Sequence, residues 1–268
     1  MLAEYGGDGK VLAGGQSLVP VLAMRLAEPA HLIDINRMSE LDFVTSGPDG
    51  VTVGALARHS RVEHDAKAGR VQPLLAQALK LVAHPTIRNR GTTVGSLAHA
   101  DPAGEMTAVL ALCAGSITAQ STRGQRTIPA ADFFHGPLES DLRSDELAVA
   151  AFFPALPTGA GSAFVEIARR HGDYALCGVG AVAELDDSGA VQALRCGYLS
   201  VTDTPLVLDL TQAWLSAEDD AAEQARVAID PQSDLHATAD YRRQLAGVLT
   251  VRAVRQAISA AEHGARAA

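Results

Sequence analysis

Two short segments gather the residue types that hold an anion through backbone rather than through charge. In the first, Ala13-Gly14-Gly15-Gln16-Ser17, paired glycines close the apolar run Val11-Leu12-Ala13, and a polar pair opens a new one from Leu18. Glycine tolerates positive φ and lets a ligand reach bare backbone, and the free N–H groups of the turn that follows aim at whatever negative group sits there. The second, Thr92-Thr93-Val94-Gly95-Ser96, lies within RNRGTTVGSLAHADPA over 88–103 and again mixes glycine with small hydroxyl residues. Alone, the first segment fits an ordinary βα corner as well as a ligand cradle. Two such turns in one domain can clasp a diphosphate from both sides, which points to a dinucleotide.

Little else in the chain offers chemistry. His84, His99 and the other histidines lack the paired spacing of a metal site. Cys113, Cys177 and Cys196 are far apart, form no CxxC, and read as small buried hydrophobes rather than as a disulfide, zinc or iron–sulfur framework. No Ser/His/Asp or Cys/His grouping stands out as a nucleophile with its base. Asp101, ahead of Pro102, fits a helix cap, and Tyr174 fits a half-buried core aromatic. Arg88 and Arg90 read as solvated charges or, beside a glycine loop in an acidic chain, as phosphate or partner contacts.

The elements that must position these residues follow from pattern. Leu2 to Tyr5 reads as the tail of a helix closed by Gly6-Gly7, and Ser17 to Leu26 as a helix with Pro20 in its first turn. Leu32 to Ile35 is a buried strand, and the 43–45 and 51–53 runs flank a Gly-Pro-Asp-Gly turn. A helix over 73–83 stops at His84-Pro85, and another starts at Asp101-Pro102 with Met106, Val109, Leu110 and Cys113 on its apolar face. The 117–119 and 126–128 runs form a second hairpin, and 147–152 one more strand. The stretch Pro154 to Gly161 is the linker by composition. Beyond it, three strands, 163–168, 179–185 and 191–199, precede a chain that reads as helical from Leu206, with segments at 207–215 and 241–262. That is an α+β layout.

With 268 residues, 47% hydrophobic and 20% charged, the chain holds a full core and divides into two domains. A formal net charge of −9 argues against nucleic acid or an anionic membrane as main partner. No apolar run reaches the ~18 residues of a membrane span, and no basic leader precedes an apolar core, so a cytoplasmic protein is expected.

The segments AGGQS at 13–17, HLIDINR at 31–37, IRNRGTTVGSLAHADPAGE at 87–105 and RRHGDYAL at 169–176 resemble, in order and spacing, the FAD-binding medium subunit of molybdenum hydroxylases of the carbon monoxide dehydrogenase and xanthine dehydrogenase type. The resemblance covers essentially the whole chain. It implies an α+β protein: a two-subdomain FAD-binding domain of the vanillyl-alcohol-oxidase type over 1–157, then a smaller domain over 162–265 with a three-stranded antiparallel sheet and helices. By the family pattern, Ala13, Gly14, Gly15, Gln16 and Ser17 hold the FAD pyrophosphate, and Thr92, Thr93, Val94, Gly95 and Ser96 close over it. Asp101 and Glu105 stand where the family binds the adenosine side, carboxylates being suited to ribose hydroxyls. Tyr174 matches an aromatic that lies against the flavin ring.

Two departures from the pattern are expected to matter. The family's strand and most of a helix ahead of Leu2 are missing, which reads as a truncated first subdomain or a misassigned start. Val94-Gly95-Ser96 stands where many relatives carry adjacent glycines, so Ser96 exchanges a backbone approach for a hydroxyl contact. The resemblance further implies molybdopterin on a large partner subunit and 2Fe-2S clusters on a small one, in a dimer of heterotrimers, with no catalytic side chain or metal here. Electrons would pass from the clusters through FAD to a final acceptor, whether nicotinamide, oxygen or quinone. Two other readings compete: a self-contained FAD reductase using a nicotinamide cofactor, which needs a proton donor and pocket of its own, and a flavin-free assembly scaffold.

Overall fold

A computed structural model describes residues 1–267. The chain begins with α1 (Leu2–Tyr5) and a 3-10 turn, then β1 (Gly9–Leu12), α2 (Leu18–Ala23) and β2 (His31–Asp34). β1 and β2 pair in parallel, Val11 opposite Ile33, so the first glycine loop is the crossover of a small βαβ unit. Next come β3 (Val44–Gly47) and β4 (Gly50–Gly54), the expected hairpin, and short helices α3 (His59–Glu63), α4 (Ala66–Val71), α5 (Pro73–Leu79), α6 (Pro85–Arg88), α7 (Thr93–His99) and α8 (Glu105–Leu112). The second hairpin is β5 (Ser116–Ser121) with β6 (Gly124–Pro129); α9 (Ala130–Phe133), the short pair β7 (Phe134–Gly136) and β8 (Glu139–Ser140), and β9 (Leu147–Pro154) follow. β9 returns between the two hairpins, giving a five-stranded antiparallel sheet ordered β3-β4-β9-β5-β6.

The second half contains β10 (Ala160–Ala168), β11 (Ala175–Leu185), β12 (Val191–Leu199) and β13 (Leu206–Asp209), then α10 (Thr211–Ser216), α11 (Glu218–Ala228) and α12 (Ala239–Ala267). The sheet is a meander of four strands, not three. The helix expected over 207–215 is instead a strand and a separate short helix: Leu206 to Asp209 pairs with Arg195 to Tyr198. The Asp209 carboxylate then accepts from the Thr211 amide and turns the chain into α10. A four-residue apolar run carries no periodicity of its own, and the free edge of β12 decides its state.

This four-stranded sheet is covered on both faces, which explains why β11 reads as an unbroken run of small and apolar residues. Cys177, Val179, Ala181 and Ala183 face α12 in one core, whereas Leu199, Val182 and Phe164 belong to the core that surrounds α8. α12 lies so close over β10 that a Cβ on Gly161 would sit 2.0 Å from the Ala257 carbonyl. α8 is buried on every side, as its continuous apolar sequence requires. Its first residue, Glu105, is the exception in kind, a carboxylate at 8% exposure. Among the described residues no helix is long and apolar enough to cross a membrane.

Candidate cofactor site

The two small-residue loops meet. A Cβ on Gly14 would stand 2.4 Å from the Arg90 carbonyl oxygen and 2.7 Å from the Gly91 Cα, so only glycine lets the first loop lie flat on the backbone that leads into the second. Gly15 turns at φ +73°, the left-handed region that favours glycine. Gln16 folds back, its side-chain amide donating to the Gly14 carbonyl at 3.0 Å. Among the described residues no protein acceptor takes the amide hydrogens of Gly14 to Leu18, and the Ser17 hydroxyl makes no cap bond although Ser17 precedes α2. A row of free donors on a bare loop matches what a diphosphate needs.

The second segment is the capped first turn of α7 rather than an open loop, and it spends its groups on itself. Thr92 caps α7 by accepting from the Gly95 amide at 3.1 Å, the Thr93 hydroxyl meets His59 Nδ1 at 3.3 Å, and Val94 is in the core. Of the five residues expected to close over the ligand, Gly95 and Ser96 keep partial exposure and the first three are buried. His59, packed under Gly91, donates its backbone amide to the Gly91 carbonyl. Burial, helped by the charge of Arg88, pushes its imidazole down to about 4, so it stays neutral beneath the loop.

A bracket of side chains that the sequence did not single out holds the loops at this spacing. Asn36, just after β2, donates to the Ala13 carbonyl at 2.9 Å and receives a bond from Arg58 at 2.7 Å. Arg58 also donates to the Arg90 carbonyl at 2.9 Å, which ties both loops to one guanidinium. The only forward signal was Asn36 itself, within the HLIDINR segment. Arg88 is structural: it is 8% exposed and bonds Glu63 and the Val82 carbonyl. Arg90 is exposed at the loop.

A second patch lies where α8 begins. The expected helix start at Asp101-Pro102 is a turn instead: the Asp101 carboxylate accepts from the Ala103 amide, its carbonyl accepts from Gly104, and α8 starts at Glu105. Pro102 therefore sits in a turn, not in the first turn of the helix. Beside Glu105 stands Glu166, from the face of β10 that also carries Phe164; its Oε2 is buried without a hydrogen-bond partner. Burial pushes Glu105 up to about 7, with Asp101 adding to it, and Glu166 up to about 8, with Glu105 adding to it. Tyr174, 65% exposed overall, is close enough to Asp101 and Glu105 for their charges, after desolvation, to help push its phenol up to about 12. Asp101 and Glu105 from one segment and Tyr174 from another thus share one patch, and Glu166 joins them unannounced. Nothing in the sequence singled it out; it lies on the face of β10 that turns toward the core around α8.

A βαβ glycine crossover laid on a second small-residue turn, followed by an antiparallel sheet and a four-stranded α+β unit, defines an FAD-binding fold of the two-loop kind. The comparisons agree. Residues 1–156 match the family described as the FAD binding domain in molybdopterin dehydrogenase, and residues 162–257 the CO dehydrogenase flavoprotein C-terminal domain. The chain belongs to this flavoprotein family, that of the FAD subunits of molybdenum-containing oxidoreductases. It is 38% identical to the alpha subunit of the 6-hydroxypseudooxynicotine dehydrogenase complex of Paenarthrobacter nicotinovorans, over 96% of this chain and 90% of that one. It is 35% identical to the carbon monoxide dehydrogenase medium chain of Hydrogenophaga pseudoflava, over 96% and 92%. Its fold overlays a chain of quinoline 2-oxidoreductase from Pseudomonas putida 86 with a TM-score of 0.90 at 35% identity, over 97% and 92%.

Proposed function

We propose that the first loop, Ala13 to Ser17, holds the FAD diphosphate through its free amides and the Ser17 hydroxyl. In this reading Gly95 and Ser96 approach from the second loop, while Thr92, Thr93 and Val94 shape it from below. Asp101 and Glu105 accept hydrogen bonds from cofactor hydroxyls, and Tyr174 covers the redox ring. The observation that carries this reading is the seating of Gly14 on the Arg90-Gly91-Thr92 backbone with the donors beside it unpaired. Bound FAD supplies one- and two-electron redox chemistry. The chain's own residues bind, orient and shield it, and none is required as acid, base or nucleophile. Over 1–157 the chain forms the FAD-binding domain and over 162–265 the C-terminal domain.

The chain then serves as the medium subunit of a heterotrimer, paired into a dimer and acting in the cytoplasm. It takes electrons from 2Fe-2S clusters of a small subunit that drain a molybdopterin site on a large one. The full chain purified from its native source is expected to show flavin absorption bands and to travel with two other subunits carrying molybdenum and iron. Purification as a lone, colourless protein overturns this reading.

A further inference from the structure

Three residues other than glycine stand in the left-handed region around one short loop. Ala100, at φ 54°, ends α7 and begins the loop that leads through Asp101 and Pro102 to Glu105. Leu138, at φ 61°, donates its amide to the Ala100 carbonyl at 3.0 Å, and Ser200, at φ 64°, donates its amide to the Pro102 carbonyl at 2.9 Å. Strain of this kind persists only where the surroundings impose it. The loop is gripped from two sides, by the turn between β7 and β8 and by the residue that follows β12.

The second grip leads further. Arg242, near the start of α12, is 7% exposed and uses one terminal nitrogen twice, donating to the Leu176 carbonyl at 2.5 Å and to the Ser200 carbonyl at 3.3 Å. Asp234 holds its other terminal nitrogen at 2.7 Å. Leu176 is two residues beyond Tyr174, and Ser200 carries the loop that holds Asp101 and Glu105. One buried guanidinium thus ties together the two segments that meet at the acid–tyrosine patch.

We propose that Arg242 is a positioning residue of the cofactor site, fixing Tyr174 against the Asp101–Glu105 loop through Leu176 and Ser200. This rests on the reading that the patch holds FAD. It assigns α12, which packs on β10 and β11, a part in setting how the ring is covered. A lysine ammonium has no fork to hold Asp234 on one nitrogen and the two carbonyls on another, so Arg242→Lys keeps the charge and cannot keep all three bonds. Ser200→Gly does the opposite, keeping both backbone bonds while relieving the left-handed strain and widening the range of backbone conformations open to the turn.

The test uses the full chain with FAD and any subunits that accompany it, and follows FAD affinity, emission of the bound flavin and melting temperature. Arg242→Lys is expected to weaken FAD binding about tenfold, the scale of one lost charge-assisted bond, and to brighten the bound flavin as Tyr174 loosens. Ser200→Gly is expected to hold or raise the melting temperature while still brightening the flavin. A role in folding alone makes affinity and emission follow melting temperature in both variants, which overturns the proposal, as does wild-type emission in both. If Arg242→Lys does not fold, the split between melting temperature and emission in Ser200→Gly decides. A wild-type chain that takes up no FAD overturns the cofactor reading beneath the proposal, whereas uptake with unaltered variants overturns only the role of Arg242.

Discussion

The two glycine loops share a vocabulary and differ in use. The Gly14-Gly15 loop leaves its amides free and is held from outside by Asn36, Arg58 and the 90–92 backbone. The Thr92–Ser96 loop caps its own helix, buries its first three side chains and rests on a neutral histidine. One presents donors, and the other is the surface against which they are presented. Similar composition therefore does not mean similar contact: a hydroxyl in a Gly/Thr/Ser turn is as readily a cap as a ligand group.

The largest effect that breaks this division is expected at Gly14. In Gly14→Val the new side chain meets backbone atoms that cannot rotate away, so the loops must part, at a cost of about 3 kcal/mol in stability. FAD retention measured by absorbance after gel filtration should be lost; flavin bound at the wild-type ratio would mean that loop contact does not build the site. Thr92→Val probes the supporting loop. Losing the cap should cost about 1 kcal/mol, read as a lower melting temperature, with FAD affinity changed less than in Gly14→Val. An affinity loss as large as that of Gly14→Val would make Thr92 a ligand contact and erase the contrast.

The acid–tyrosine patch sharpens the comparison, because there side chains rather than backbone face the site. Glu105 and Glu166 have folded values raised to about 7 and about 8 from 4.5. A raised carboxyl resists ionisation in the fold and not in the unfolded chain, so stability is lost as pH climbs from the unfolded value through the folded ones. The apo-chain should melt progressively lower between about pH 5 and pH 8, and Glu166→Gln should flatten that slope. Glu105, with Asp101 beside it, keeps its raised value in that variant, so a residual slope is expected. His59, held at about 4, and His99, also lowered by burial, act in the opposite sense below about pH 6.5, so the decisive reading is the difference between the two chains: a slope that Glu166→Gln leaves unchanged would show that Glu166 is ionised in the fold at neutral pH.

How far the sequence spoke depends on the range of the contacts. Both hairpins, the α5 helix and the first glycine turn were legible because turn chemistry and periodicity are local. The strand Leu206–Asp209 was not, since its state is set by the edge of β12. Arg58 and His59 escaped, and Asn36 was caught only as part of the HLIDINR segment, because each acts on a loop from 22 or more residues away, where spacing carries no signal. Glu166 escaped for a subtler reason: a lone acid in a strand carries no sign of which face it takes, and only the packing of the second sheet face against the α8 core leaves its Oε2 buried without a partner.

The smallest effect is the most discriminating. Ser17 precedes α2 in the sequence position of a cap, yet its hydroxyl caps nothing. If it served the helix, Ser17→Ala would cost about 1 kcal/mol of stability; since it makes no such bond, the melting temperature should stay within the range of a neutral surface change, about 0.5 kcal/mol. Its free hydroxyl should instead be felt by the ligand, as a fewfold rise in the FAD dissociation constant measured by flavin fluorescence, of the order of one neutral hydrogen bond. The same pair of measurements on Thr92→Val should give the reverse ranking, stability falling more than affinity. Stability and affinity moving together at both positions would show that the two loops are equivalent supports and that neither is specialised to present donors.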